Sequence, residues 1–156
     1  MPLDAITLGP FTVDAEGGLS PTTPEHFPSF RVAWRGHVVR ARLADSALGL
    51  VVTLGRVPST GRAESPREAP RRAAFATLRT LPDLLPPGWA VALTPDHRIA
   101  VEARIPLDLP TTAEILVGEI TLFLLRLAPY LDLLAEGVGV EPLADAAVGS
   151  VNTCPG

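Results

Sequence analysis

The sequence predicts an α+β fold: an antiparallel sheet of about five strands with two helices, in the order βββ-α-ββ-α. Two patterns carry that expectation. Apolar and polar residues alternate across two blocks, 30–57 and 89–105; the first is followed by apolar residues at three- and four-residue spacing, and the second by a capping box and a long apolar run. Alternation marks strands with one buried face, and the wider spacing marks helices with a buried stripe. The turns within each block are short, which calls for antiparallel neighbours, since parallel ones need a crossover of a dozen residues or more.

Residues 1–29 read as an irregular arm. Gly9-Pro10, Gly17-Gly18, Pro21, Pro24 and Pro28 interrupt any long element, because Gly and Pro favour turns over regular structure. A short strand fits Phe11 to Ala15, and one helical turn fits Thr23-Pro24-Glu25, with Thr as cap and Pro first. Three strands follow. Phe30, Val32 and Trp34 alternate with Arg31, Ala33 and Arg35. After Gly36, Val39, Ala41 and Leu43 alternate with Val38, Arg40 and Arg42. Asp45-Ser46 breaks this strand, and Leu48 to Val57 makes a third, more apolar one.

Ser65-Pro66-Arg67-Glu68 has the chemistry of a helix start, so a helix is expected over 66–85, or from Pro70. Ala74, Phe75, Leu78 and Leu81 share one of its faces. A hairpin follows: Trp89 to Thr94, a Pro95-Asp96-His97 turn, then Arg98 to Ile105. A capping box, Thr111-Thr112-Ala113-Glu114, opens a second helix over about 111–136, with Gly137 as its C-terminal cap. Pro129 predicts a kink or a split near Leu125. This helix is apolar on nearly every side, whereas a helix on a single sheet needs only one stripe, so a second apolar contact is expected. Residues 137–156 read as a weakly structured tail, leaving 30–136 as a single domain.

The 156 residues are 47% apolar and only 19% charged, with a mean hydropathy of +0.28. A chain of this length buries about 70% of its unfolded surface, so neither disulfides nor metals are needed for stability. The one cysteine, Cys154, excludes an internal bridge and fits a reducing compartment. Met1-Pro2-Leu3-Asp4 lacks the cationic start of a signal peptide, so the cytoplasm is expected. The apolar run Ile115 to Leu134 contains Glu119, Arg126 and Asp132. Each would cost about 2.5–3.5 kcal/mol at membrane depth, so the run is read as a buried helix and no membrane is expected.

All 13 basic residues are arginine, and charge is unevenly spread. Residues 1–30 hold four acids and no arginine. Residues 31–79 hold ten arginines against three acids, and residues 80–156 three against ten. The halves can neutralise each other within a chain or across a dimer. Arg31, Arg35, Arg40 and Arg42 on the first hairpin raise a nucleic-acid reading. The net charge of −4, and the opposite facing of Trp34, argue against it.

No pattern nominates chemistry. His26, His37 and His97 are isolated, with no two at i, i+4 spacing, so no metal site is expected. Phosphate-cradling G-x-G-x-x-G and G-x-x-x-x-G-K loops are absent, as is G-x-S-x-G, and there is no lysine. Hence no catalytic residue and no cofactor is nominated, and an enzyme is not expected.

The element order over about residues 30–136 resembles the type III secretion chaperone-like fold, which the YbjN-type bacterial proteins also use. The closest local match is Trp89 to Leu134: hairpin, proline-leucine exit, capped helix. The family's leading helix has no counterpart in the Pro- and Gly-rich residues 1–29. The resemblance implies a non-catalytic, cofactor-free, dimeric domain that presents apolar patches to a protein partner. The anchors expected for that role are Phe75, Leu78, Trp89 and Leu93. The alternatives are a small ligand-binding protein or enzyme with a site around His37, Arg40 or Glu102, and nucleic-acid binding through the Arg-rich hairpin.

Overall fold

The computed structural model describes residues 5–57 and 68–135. Its main body is a five-stranded antiparallel sheet built from β4 (Ser29–Trp34), β5 (His37–Ala44), β6 (Ala47–Arg56), β7 (Trp89–Leu93) and β8 (Arg98–Pro106), in the order β4-β5-β6-β8-β7. Helices α1 (Glu68–Leu84) and α2 (Ala113–Ala135) follow β6 and the β7–β8 hairpin. The fold is α+β.

Turn chemistry sets the register of the meander. Arg35 and Gly36 both have positive φ, at 48° and 77°, as do Asp45 and Ser46, at 52° and 54°. Two consecutive left-handed residues make a type I′ turn, whose twist matches that of paired strands. The flanking pairs Trp34–His37 and Ala44–Ala47 close directly on these turns. Between β7 and β8 the His97 amide donates to the Thr94 carbonyl at 2.9 Å, and His97 itself is left-handed at 62°. That is a type I turn closed by one left-handed residue.

With this register, Phe30, Val32, Trp34, Val39, Ala41, Leu43, Leu48, Leu50, Val52, Val101, Ala103 and Trp89 share one sheet face. They pack with Ala74 of α1 and with Leu116, Ile120, Phe123, Leu127, Leu131 and Leu134 of α2 in one core. Those α2 positions recur at three- and four-residue intervals, which places them on one side of the helix. Trp89 lies 4.8 Å from the Phe123 ring and 6.1 Å from Tyr130, centroid to centroid. The Tyr130 hydroxyl donates to the Leu84 carbonyl at 2.8 Å, tying α2 to the end of α1.

The first residues differ from the irregular arm expected over 1–29. They form β1 (Ile6–Leu8), β2 (Phe11–Val13) and β3 (Gly18–Pro21), which join β9 (Thr111–Thr112) in a second antiparallel sheet ordered β1-β2-β3-β9. Phe11 and Leu19 are buried in the main core, and Phe11 meets Phe30 edge-on at 5.9 Å. Asp14 makes the β2–β3 turn, its Oδ1 accepting from the amides of Gly18 and Glu16. Gly9-Pro10 and Gly17, among the Gly and Pro residues that suggest an irregular arm, turn the chain between these short strands.

The start of α2 also shifts. Thr111 pairs with Leu19 in β9 and is buried, so it is not the cap. Thr112 takes that role, its Oγ1 accepting from the Ile115 amide at 3.3 Å. The helix then runs unbroken through Pro129 to Ala135 and does not split near Leu125. The expected Ser65 and Gly137 caps and the tail 137–156 lie outside the described residues.

Candidate functional site

Among the described residues, two surfaces stand open once the core is assembled. The first is the outer side of α2. Ile115, Leu122, Leu125 and Leu133 are 50%, 49%, 63% and 40% exposed. With Gly118 and Pro129, both exposed, they recur as 115, 118, 122, 125, 129 and 133, opposite the buried row 116, 120, 123, 127, 131 and 134. From Ile115 to Pro129 the spacing of the outer row, three then four residues, is that of a helix–helix seam. A β-carbon added at Gly118 would meet no atom within 4 Å, so the middle of the row is open to close approach. Glu119 and Arg126 lie one heptad apart along one border of the row. At the other border Asp132 pairs with Arg35 of the first hairpin at 2.7 Å.

The second surface is the far face of the large sheet. Cross-strand pairing puts Arg31 directly opposite Arg40, and Arg42 opposite Gly49, which in turn faces Arg104 on β8. Gly49 contributes no side chain, and a trough of about 510 Å³ opens there between Ser29, Arg31, Arg40, Arg42, Gly49 and Val51. A smaller hollow of about 220 Å³, bordered by Arg42, Asp45 and Arg104, shares its Gly49 floor. Among the described residues, Arg31 and Arg40 have no ion-pair partner. Arg42 stacks on Phe27 at 5.1 Å, and Arg104 reaches only the Asp45 carbonyl, at 3.5 Å. Like charges directly opposite on adjacent strands are unfavourable, so the Arg31–Arg40 pair is electrostatically strained, with Glu102 the nearest acid in its row, beyond Val51.

The residues expected to anchor a partner fall elsewhere. Phe75, Leu78 and Trp89 are half-buried and pack against the core, and Arg71 lies over the Phe75 ring at 5.4 Å. Leu93, 44% exposed at the end of β7, is the only one of the four that is open to solvent. Of His37, Arg40 and Glu102, Arg40 and Glu102 share the far sheet face, one on each side of Val51, while His37 lies on the other face. Arg40 lines the trough, His37 meets the Thr53 carbonyl at 3.1 Å at the end of the hairpin, and Glu102 stands exposed opposite Val51. Among the described residues no three His, Cys, Asp or Glu cluster as a metal site would require, and no helix is long and apolar enough to cross a membrane.

The outer row of α2 was signalled in the sequence by its all-round apolar character, but its members were not singled out. The trough depends on Gly49 lying between Arg42 and Arg104, a juxtaposition created by strand order. No protein-family model matches the chain, and no curated protein matches it.

Proposed function

We propose that this chain is a non-catalytic, cytoplasmic protein-binding domain that works as a dimer. The observation that carries this reading is the second apolar face of α2. Four large apolar side chains, each at least 40% exposed, line one helix on the side away from its own core. Single exposed apolar residues are ordinary, but a contiguous row marks a contact surface. The order of β4–β6, α1, β7–β8 and α2 supports the resemblance to the secretion chaperone-like fold, whose members act by covering apolar segments of other proteins.

Light scattering and sedimentation from about 1 to 100 µM test the reading, a range set by the weak affinities of small interfaces. The expected result is reversible self-association that disappears in Leu122→Glu/Leu125→Glu. A wild-type chain that stays monomeric throughout overturns it.

The arginine trough supports a second reading, in which the open sheet face holds an anionic group. Arg31 and Arg40 are then the principal contacts, since guanidinium groups match phosphate and carboxylate oxygens in pairs. Titration at low salt with inorganic phosphate and with a labelled single-stranded oligonucleotide tests it. Binding that weakens with salt and is lost in Arg31→Ala/Arg40→Ala is expected, and no binding of either probe ends this reading.

A further inference from the structure

We infer that the outer face of α2 is occupied by α2 of a second copy of this chain, running antiparallel. This inference rests on the proposed partner-binding role and names the partner and its geometry. The row Ile115, Gly118, Leu122, Leu125, Pro129 and Leu133 is close to symmetric about a point between Phe123 and Leu124. A twofold axis there sets Leu122 against the partner's Leu125 and Gly118 against the partner's Pro129, and brings Ile115 to the level of the partner's Asp132, beside the partner's Leu133. A self-complementary patch of this kind is what an isologous dimer requires. The one member without a side chain, with open space above its Cα, then faces the one whose ring projects from the helix.

Charge selects the direction. In heptad terms Ile115, Leu122 and Pro129 occupy one seam position, and Gly118 and Leu125 the other, which Asp132, paired with Arg35, ends; Glu119 and Arg126 then lie on one border, which Leu133 continues. Antiparallel helices bring like borders together, so Glu119 meets the partner's Arg126 twice per dimer. The axial offset is about 3 Å at 1.5 Å per residue, within reach of two long side chains. Parallel helices would bring Glu114 toward the partner's Glu119 and leave Arg126 without an acid. Among the described residues neither Glu119 nor Arg126 has an ion-pair partner within its own chain, so both are available.

Charge reversal tests the direction. Glu119→Arg and Arg126→Glu each replace two attractions with two repulsions, and each is expected to weaken dimerisation by roughly tenfold or more at low salt. The double variant restores both pairs in swapped form and is expected to return to within about threefold of wild type, the residual reflecting imperfect pairing. Disulfide trapping in a Cys154→Ser background gives an independent readout. Leu122→Cys/Leu125→Cys is expected to cross-link on oxidation. Ile115→Cys alone is not, because an antiparallel seam holds its two copies about 25 Å apart.

Cross-linking of Ile115→Cys, or single reversals that the double variant does not rescue, overturns the antiparallel seam. If wild type still dimerises in that case, the partner-binding reading stands and only its geometry falls. A wild-type monomer overturns both.

Discussion

Ser46 is an L-residue held at φ 54° in the second position of a type I′ turn. That conformation crowds a β-carbon and costs an L-residue about 1–2 kcal/mol. Glycine avoids the crowding but gives up some freedom on folding. Ser46→Gly is therefore expected to raise stability by about 0.5–1 kcal/mol, read as a higher urea midpoint at unchanged slope. The contact at this turn that matters for the fold is the Ser46 carbonyl, which accepts from the Leu107 amide, and the substitution keeps it. The β7–β8 turn gives a pH prediction. The Thr94 hydroxyl donates to Asp96 and Arg98 pairs with it at 2.7 Å, which together hold the Asp96 carboxyl below its ordinary 3.8. A depressed acid stabilises the fold above its unfolded pKa and loses that contribution as pH falls through the folded value. The stabilisation is thus complete at neutral pH and fades in the acid range below 3.8. A carboxyl NMR titration should place Asp96 below the free value, and Thr94→Val should move its midpoint upward.

At the scale of the element, α2 separates core from surface within single turns. Phe123 is 1% exposed against Trp89, whereas Leu125, two residues on, is 63% exposed. Phe123→Ala should cost about 3–5 kcal/mol in urea unfolding. Leu125→Ala should change the stability of the dilute monomer by no more than about 0.5 kcal/mol, yet weaken self-association measured by sedimentation. Equal losses at both positions would mean that the outer row is packed within the monomer. The presence of α2 was legible in the sequence, from its threonine cap and long apolar run, because a helix needs only its own residues to declare itself. So were the three-strand meander and the hairpin, whose turns carry Gly36, Asp45-Ser46 and Pro95-Asp96. The exact cap was not legible. Thr111 and Thr112 are chemically equivalent candidates, and only the pairing of Thr111 with Leu19, some ninety positions away in sequence, assigns the role to Thr112. The degree to which the expected anchors are covered was not legible for a related reason. Phe75, Leu78 and Trp89 are large and apolar, and composition alone does not separate a core face from an open one.

At the scale of the whole molecule, the two sheets make the N-terminal segment part of the same folding unit as α2. Strand β3 pairs with β9, and the Ala113 amide at the first turn of α2 donates to the Gly17 carbonyl at 2.9 Å. Phe11 and Leu19, 3% and 2% exposed, reach the core formed by the large sheet and the helices. This corner depends on Gly18, where a β-carbon would come within 2.5 Å of the Asp14 carboxylate that organises the β2–β3 turn. If the segment were an appendage, a chain starting at Thr22 would keep its stability. The structure requires otherwise. The truncation removes two core side chains, worth about 1.5–3 kcal/mol each, and leaves β9 without its partner at the point where α2 begins. At a few degrees per kcal/mol for a chain of this size, the melting temperature should fall by roughly 10 °C or more. Hydrogen exchange gives the finer test: in the truncated chain, protection should be lost first in the opening turn of α2, around Ile115 and Leu116, while the amides of β5 and β6 stay protected. An unchanged melting temperature would show that the small sheet is not coupled to the core and that the outer row of α2 is held in place by the large sheet alone.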